Sequence, residues 1–184
     1  MKILSFLFLL LMYLQMKGQQ VSGRKTTTGK DNLVSLGVKI PLGDFSSTHS
    51  SGIGIDYLRC KNRFGITSDN SKGKIAFVYG GGAAIYIGKK ETISFYSYKY
   101  PAFIFIKAIA GFLYTPGPKT GFTVTAGPAI GMYDGNSQFN LTGKLDGSYY
   151  FSEKLAITPG IILMKEMTVA DPLIAFSLKV SWAL

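Results

Sequence analysis

A strict two-residue alternation near the carboxyl end constrains this chain most. In Phe139-Asn140-Leu141-Thr142-Gly143-Lys144-Leu145-Asp146-Gly147-Ser148-Tyr149-Tyr150-Phe151 the large apolar groups fall mainly on odd positions and both charges on even ones. Successive side chains of a strand point to opposite faces, so the segment presents one apolar and one charged face. A closed barrel turned toward lipid satisfies such a strand, because closure pairs every backbone group without water. A half-buried soluble sheet shows the same alternation.

Similar parity recurs along the chain. Val34–Leu42 has apolar even positions, with Ser35, Gly37 and Lys39 opposite; Ile53, Ile55 and Tyr57 alternate with Asp56. Ile75–Ile87 sets large odd positions against smaller even ones, Ala102–Tyr114 is apolar on both faces, and Phe122–Met132 turns Thr123, Thr125 and Gly127 to one side. After the segment described first come Leu155, Ile157, Pro159, Ile161 and Leu163. Last are Ile174, Phe176, Leu178, Val180 and Trp182, with Ser177, Lys179 and Ser181 opposite. Eight strands of about ten residues match the span of a bilayer. The expected fold is all-β, an antiparallel up-and-down transmembrane β-barrel of about eight strands.

The charges follow this register. Lys39, Asp56, Lys144, Asp146 and Lys179 share the polar parity, and a Lys or Arg facing hydrocarbon at mid-depth costs about 2 to 4 kcal/mol. An eight-stranded interior is just wide enough for side chains to fill. The five are therefore expected to form a polar network inside the barrel rather than to line a pore. Lys107 lies mid-strand in a run apolar on both faces, and the alternation does not orient it.

The amino end reads differently. Met1-Lys2 followed by Ile3–Leu14 is a basic start and an apolar run of secretory length, too short for a spanning helix of about 20 residues. Residues 1–18 read as a cleavable signal peptide, 19–32 as a polar lead-in and 33–184 as the barrel. Connections at Thr115–Thr120 and Ser152–Lys154 are short, and Lys61–Lys72 is long for the same side. Gly43–Ser51, Gly88–Tyr100, Met132–Gln138 and Met167–Asp171 are expected to face outward.

The formal charge of +10 is spread along the chain, and its excess survives removal of the leader, which contributes only Lys2 and Lys17. For an exported chain this favours lipopolysaccharide phosphates or surface polysaccharide and disfavours nucleic acid. Cys60 is the lone cysteine, so no disulfide closes within the chain; it reads as a small apolar filler. His49 is the lone histidine, with Asp44 and several serines nearby. A Ser, His and Asp arrangement is formally available there, but such residues suit a polar turn better. Gly80-Gly81-Gly82 lies within a strand pattern with no Gly-Lys-Ser/Thr after it, so it reads as close packing rather than a phosphate cradle. No His or Cys spacing suits a metal, no cofactor is expected, and no residue licenses a reaction. Phe95, Tyr96, Tyr98, Lys99 and Tyr100 form a candidate binding surface on a loop, with an interfacial aromatic girdle as the alternative.

Leu36-Gly-Val-Lys-Ile-Pro-Leu-Gly-Asp-Phe-Ser-Ser-Thr-His-Ser-Ser-Gly-Ile-Gly-Ile-Asp-Tyr57 and Gly127-Pro-Ala-Ile-Gly131 resemble small outer-membrane β-barrels of Bacteroidota-type Gram-negative bacteria, of the OmpA or OmpX kind. The resemblance covers most of the mature chain. It implies residence in outer-membrane lipid and lipopolysaccharide, insertion by the barrel-assembly machinery, and a noncatalytic envelope or loop-binding role. The carboxyl end departs from it, closing on Ser181-Trp182-Ala183-Leu184 rather than on a final aromatic residue. A narrow passive channel, or a soluble exported barrel holding a hydrophobic ligand with its apolar parity inward, are the alternatives.

Overall fold

The computed structural model describes residues 30–66, 73–93, 95–167 and 171–184, with the backbone alone for 61–63 and 93. The signal peptide and residues 19–29 of the lead-in fall outside the described residues, as does the second half, 67–72, of the connection 61–72. The strands are β1 (Lys30–Leu42), β2 (His49–Phe64), β3 (Lys74–Gly88), β4 (Lys90–Ile93), β5 (Tyr96–Lys99), β6 (Phe103–Gly117), β7 (Thr120–Tyr133), β8 (Asn136–Tyr150), β9 (Leu155–Glu166) and β10 (Leu173–Ala183). One short helical turn, α1 (Phe45–Thr48), follows β1.

Eight of these strands close into an antiparallel barrel in the order β1-β10-β9-β8-β7-β6-β3-β2. The seam joins β1 to β10 without slippage, from Leu33 opposite Ala183 to Leu42 opposite Ile174. β4 and β5 pair only with each other. The connections after β1, β3, β7 and β9 gather at one end, here the loop end. Those after β2, β6 and β8 share the opposite end with the start of β1 and the end of β10.

The alternation maps directly onto the wall. On β8, Phe139, Leu141, Leu145 and Tyr149 are exposed, while Asn140, Thr142, Lys144, Asp146 and Ser148 are buried inside. β1 and β10 do the same, with Leu36, Val38, Leu178 and Val180 outward and Ser35, Lys39, Ser177 and Lys179 inward. The apolar parity thus faces out, the reverse of a barrel that encloses a hydrophobic ligand. Outward aromatics concentrate near the end that carries the termini, at Tyr57, Phe77, Tyr114, Phe122, Tyr149 and Trp182. The wall above them is mainly aliphatic, giving the band and girdle of a lipid-facing surface.

Several strands run further than their alternation shows. β7 and β8 pair up to Tyr133 opposite Asn136, so the Met132–Gln138 connection shrinks to the tight turn Asp134-Gly135. Both residues have positive φ, 49° and 77°, which a two-residue hairpin turn following the strand twist demands. The Gly43–Ser51 connection shrinks likewise, because α1 leads straight into β2 at His49.

The β6 run resolves the orientation of Lys107. Phe103, Phe105, Lys107, Ile109 and Leu113 are buried inside the barrel, whereas Ile104, Ile106, Phe112 and Tyr114 are exposed outside. Gly80 and Gly82 of β3 stand opposite Ile109 and Lys107. Bulk on one strand is matched by its absence on the neighbour, so β6 is apolar on both faces because its inner face is packing.

Placing Arg at Leu145, outside the wall and next to the charged interior positions, should cost about 2 to 4 kcal/mol of stability in bilayers. Urea titration of the folded barrel in lipid vesicles measures this, and an unchanged midpoint would show that Leu145 does not face hydrocarbon.

Candidate functional site

The barrel interior is built in three layers. At the end with the termini, Leu33, Leu58, Cys60, Phe64, Val78, Ile109, Leu113 and Tyr150 form an apolar plug. At the loop end, Phe45, Tyr86, Phe103, Phe105, Ile162 and Met164 form a second. Charged and hydroxyl side chains lie between. Cys60 sits buried in the first plug.

Asp56 is the hub of the charged layer. Its Oδ2 lies 3.2 Å from Lys39 Nζ, 3.0 Å from Lys144 Nζ and 3.5 Å from Lys179 Nζ; its Oδ1 lies 2.9 Å from Lys107 Nζ. Asp146 meets Lys144 and Lys179, each at 2.7 Å. Lys39, Asp56, Lys144, Asp146 and Lys179 are thus brought together, and Lys107 joins them as the member that alternation left unplaced. The Lys107 contact is an ion pair by distance, but Asp56 Oδ1 has no partner in hydrogen-bonding geometry. Beside this cluster Ser148 Oγ, Thr158 Oγ1, Ser181 Oγ and Ser35 Oγ form a hydroxyl chain with steps of 3.0, 2.8 and 2.7 Å.

Glycines make these contacts sterically possible. Gly82 stands between Asp56 on β2 and Lys107 on β6, and a Cβ there would approach Asp56 Oδ1 to 2.4 Å. Gly160 stands opposite Asp146, where a Cβ would approach its Oδ1 to 2.0 Å. An inward glycine beside an inward charge is therefore the sequence signal that would have added Lys107 to the network. Reading it requires the pairing between strands.

At the loop end α1 folds inward and inserts Phe45 against Tyr86, His49 and Phe103, with ring centroids 4.9, 5.0 and 5.7 Å apart. His49 Nδ1 lies 2.8 Å from Thr48 Oγ1 and Nε2 lies 3.2 Å from the Pro101 carbonyl. Both nitrogens are thus engaged with structural partners when Nε2 carries the proton and Nδ1 accepts from the Thr48 hydroxyl. Above this plug Phe45, His49, Phe103, Tyr133, Gln138 and Glu166 line a shallow cavity of about 290 Å³.

The β4–β5 hairpin projects beside that mouth and carries all five residues of the candidate binding surface in or next to β5. Phe95 at its turn is fully exposed, at 101 %, and Tyr96, Tyr98 and Lys99 are exposed behind it. Tyr98 and Tyr100 meet edge-to-face at 5.0 Å, close to Tyr133 on the barrel rim. The Tyr100 hydroxyl donates to Glu91 Oε2 at 2.9 Å, a bond that holds its phenol above the ordinary value. Lys90 stands directly opposite Lys99, a like-charge pairing that disfavours the hairpin unless an anion lies nearby. The ammonium of the adjacent Lys89 donates to the Ser46 carbonyl in α1, tying the hairpin base to the plug.

This architecture recurs among solved structures. The crystal structure of Ail, the attachment invasion locus protein of Yersinia pestis, aligns with a TM-score of 0.52 at 12% identity, over 84% of this chain and 97% of Ail. The backbone structure of the Yersinia pestis outer membrane protein Ail in a phospholipid bilayer nanodisc gives 0.54 at 12%, over 83% and 98%. The chain has the fold of a small outer-membrane β-barrel. A further Ail crystal structure, in complex with the heparin analogue sucrose octasulfate, gives 0.52 at 10%, over 84% and 97%. No protein-family profile and no curated protein sequence matches the chain.

Asp56→Asn should be the most damaging single change in the charged layer, because it leaves four buried ammonium groups against Asp146 alone. Breaking a buried pair from one side costs about 3 to 5 kcal/mol, whereas Lys39→Met brings the layer closer to neutrality and should cost less. Denaturant midpoints of the two variants in lipid test this order, and equal losses would contradict the hub role of Asp56.

Proposed function

We propose that this protein is a noncatalytic barrel of the outer membrane whose β4–β5 hairpin binds anionic polysaccharide outside the cell. The observation that carries the reading is the opposed pair Lys90 and Lys99 on one face of the hairpin, with the fully exposed ring of Phe95 at its turn and those of Tyr96 and Tyr98 on the other face. Sulfate or carboxylate groups relieve the repulsion between the two ammonium groups, and a sugar face reaching the turn stacks on Phe95. A barrel of the same fold, Ail, has been crystallised with a heparin analogue, which supports this ligand class.

In this reading the aliphatic band sits in outer-membrane lipid and lipopolysaccharide after insertion by the barrel-assembly machinery, and the loop end points outward. The motifs resembling small barrels of Bacteroidota-type bacteria support the same placement. The two apolar plugs above and below the charged layer favour a structural interior over a passive channel. The engagement of both His49 nitrogens favours a structural role for that residue over a catalytic one.

Two measurements test the proposal. Full-length protein expressed in a Gram-negative host should fractionate with outer membranes and shift in gel mobility on boiling; soluble protein without the shift would overturn the placement. Folded protein in nanodiscs should bind sucrose octasulfate, more weakly as salt rises, and the double variant Lys90→Glu, Lys99→Glu should lose at least about tenfold in affinity, or 1.4 kcal/mol. Undiminished binding by that variant would remove the hairpin from the site.

A further inference from the structure

The charged layer is not neutral. Among the described residues, Lys39, Lys107, Lys144 and Lys179 face only Asp56 and Asp146, and all six side chains are buried. Two positive charges are therefore in excess, between two apolar plugs. A buried cation is tolerated when it is paired and hydrogen-bonded, and this excess has no protein carboxylate to meet it.

The excess is localised. Lys144 and Lys179 each touch both aspartates. Lys39 and Lys107 each touch Asp56 alone, and an ammonium has three protons to donate. Lys107 Nζ lies 2.9 Å from Asp56 Oδ1, which leaves two of its three N–H bonds for other acceptors. The Tyr86 hydroxyl is buried as well and has no hydrogen-bond partner among the described residues. Tyr86 and Lys39 belong to one cross-strand row, each paired with Gly52. This side of the cluster holds surplus donors, surplus positive charge and a hydroxyl free to donate.

We propose that the barrel interior binds one small inorganic anion, a halide such as chloride, held by the ammonium groups of Lys39 and Lys107 and the hydroxyl of Tyr86. A halide offsets one of the two excess charges and accepts from several donors without directional demands. Its single-atom size suits an eight-stranded interior that side chains nearly fill. The ion is captured as the sheet closes, since the plugs seal the layer afterwards. This inference rests on the interior alone and is independent of what the hairpin binds.

The test uses the folded full-length barrel. Protein folded and crystallised in sodium bromide should show an anomalous bromine peak inside the barrel, beside Lys39 and Lys107. In solution, protein folded and then heated in sodium chloride should unfold several-fold more slowly than protein folded and heated in sodium gluconate at equal ionic strength. The difference should vanish in Tyr86→Phe, which removes only the hydroxyl, and in Lys107→Met. If Lys107→Met fails to fold, the wild-type crystal and Tyr86→Phe decide the matter. Bromide at surface sites only, or equal unfolding rates in the two salts, would overturn the proposal and leave proton loss from the lysines as the means of neutralising the layer.

Discussion

Closure of the sheet between β1 and β10 is the constraint on which the structure depends. In hydrocarbon no water is available to an unpaired N–H or C=O, so a strand can face lipid only if both its edges are paired. The unbroken register from Leu33 opposite Ala183 to Leu42 opposite Ile174 removes the last two edges. Once the sheet is closed with eight strands, the interior is too narrow to hold much besides side chains. Each inward position must then be filled, and each inward charge must find a partner across the barrel. Asp56 and Asp146, from β2 and β8, meet lysines from β1, β6, β8 and β10, so the charged layer ties distant strands together.

Parity was legible in the amino-acid sequence because it is a local property. Leu141, Leu145, Lys144 and Asp146 announce their faces within six residues, and the strands of the wall follow from repeating that reading. Pairing is not local, and what depends on it was hidden. Lys107 looked ambiguous because β6 packs apolar groups inward as well as outward. Its place becomes readable only when Gly80 and Gly82 are set beside it as the space its neighbours fill. The same holds for α1, where Phe45 reads as a loop residue until the rings of Tyr86 and Phe103 stand beside it.

The two candidate sites differ in how much of their chemistry the fold settles. In the interior, the positions of the charges are set by register and their contacts by the glycines at 82 and 160. On the hairpin, Lys90 and Lys99 are paired by β4 and β5 alone, and Phe95 and Tyr96 stand almost wholly exposed. The aromatic stretch 95–100 was visible as a cluster in sequence, but its separation from the wall was not, since four-residue strands carry too little alternation to separate a hairpin from a girdle. In the proposed function the barrel anchors the protein and the hairpin at its loop end makes the contact.

The central claim, a closed barrel with its apolar parity toward lipid and its charged parity inside, is tested most directly by spin labels placed one at a time along β8 from Phe139 to Tyr150, in a background where Cys60 is replaced by Ala. Collision rates with oxygen, which partitions into lipid, should alternate with a period of two residues and peak at 139, 141, 145 and 149. Labels at 142, 144, 146 and 148 should be immobile and shielded from both oxygen and a water-soluble relaxation agent. A pattern with the peaks on the even positions, or with water-phase access at 144 and 146, would contradict the account.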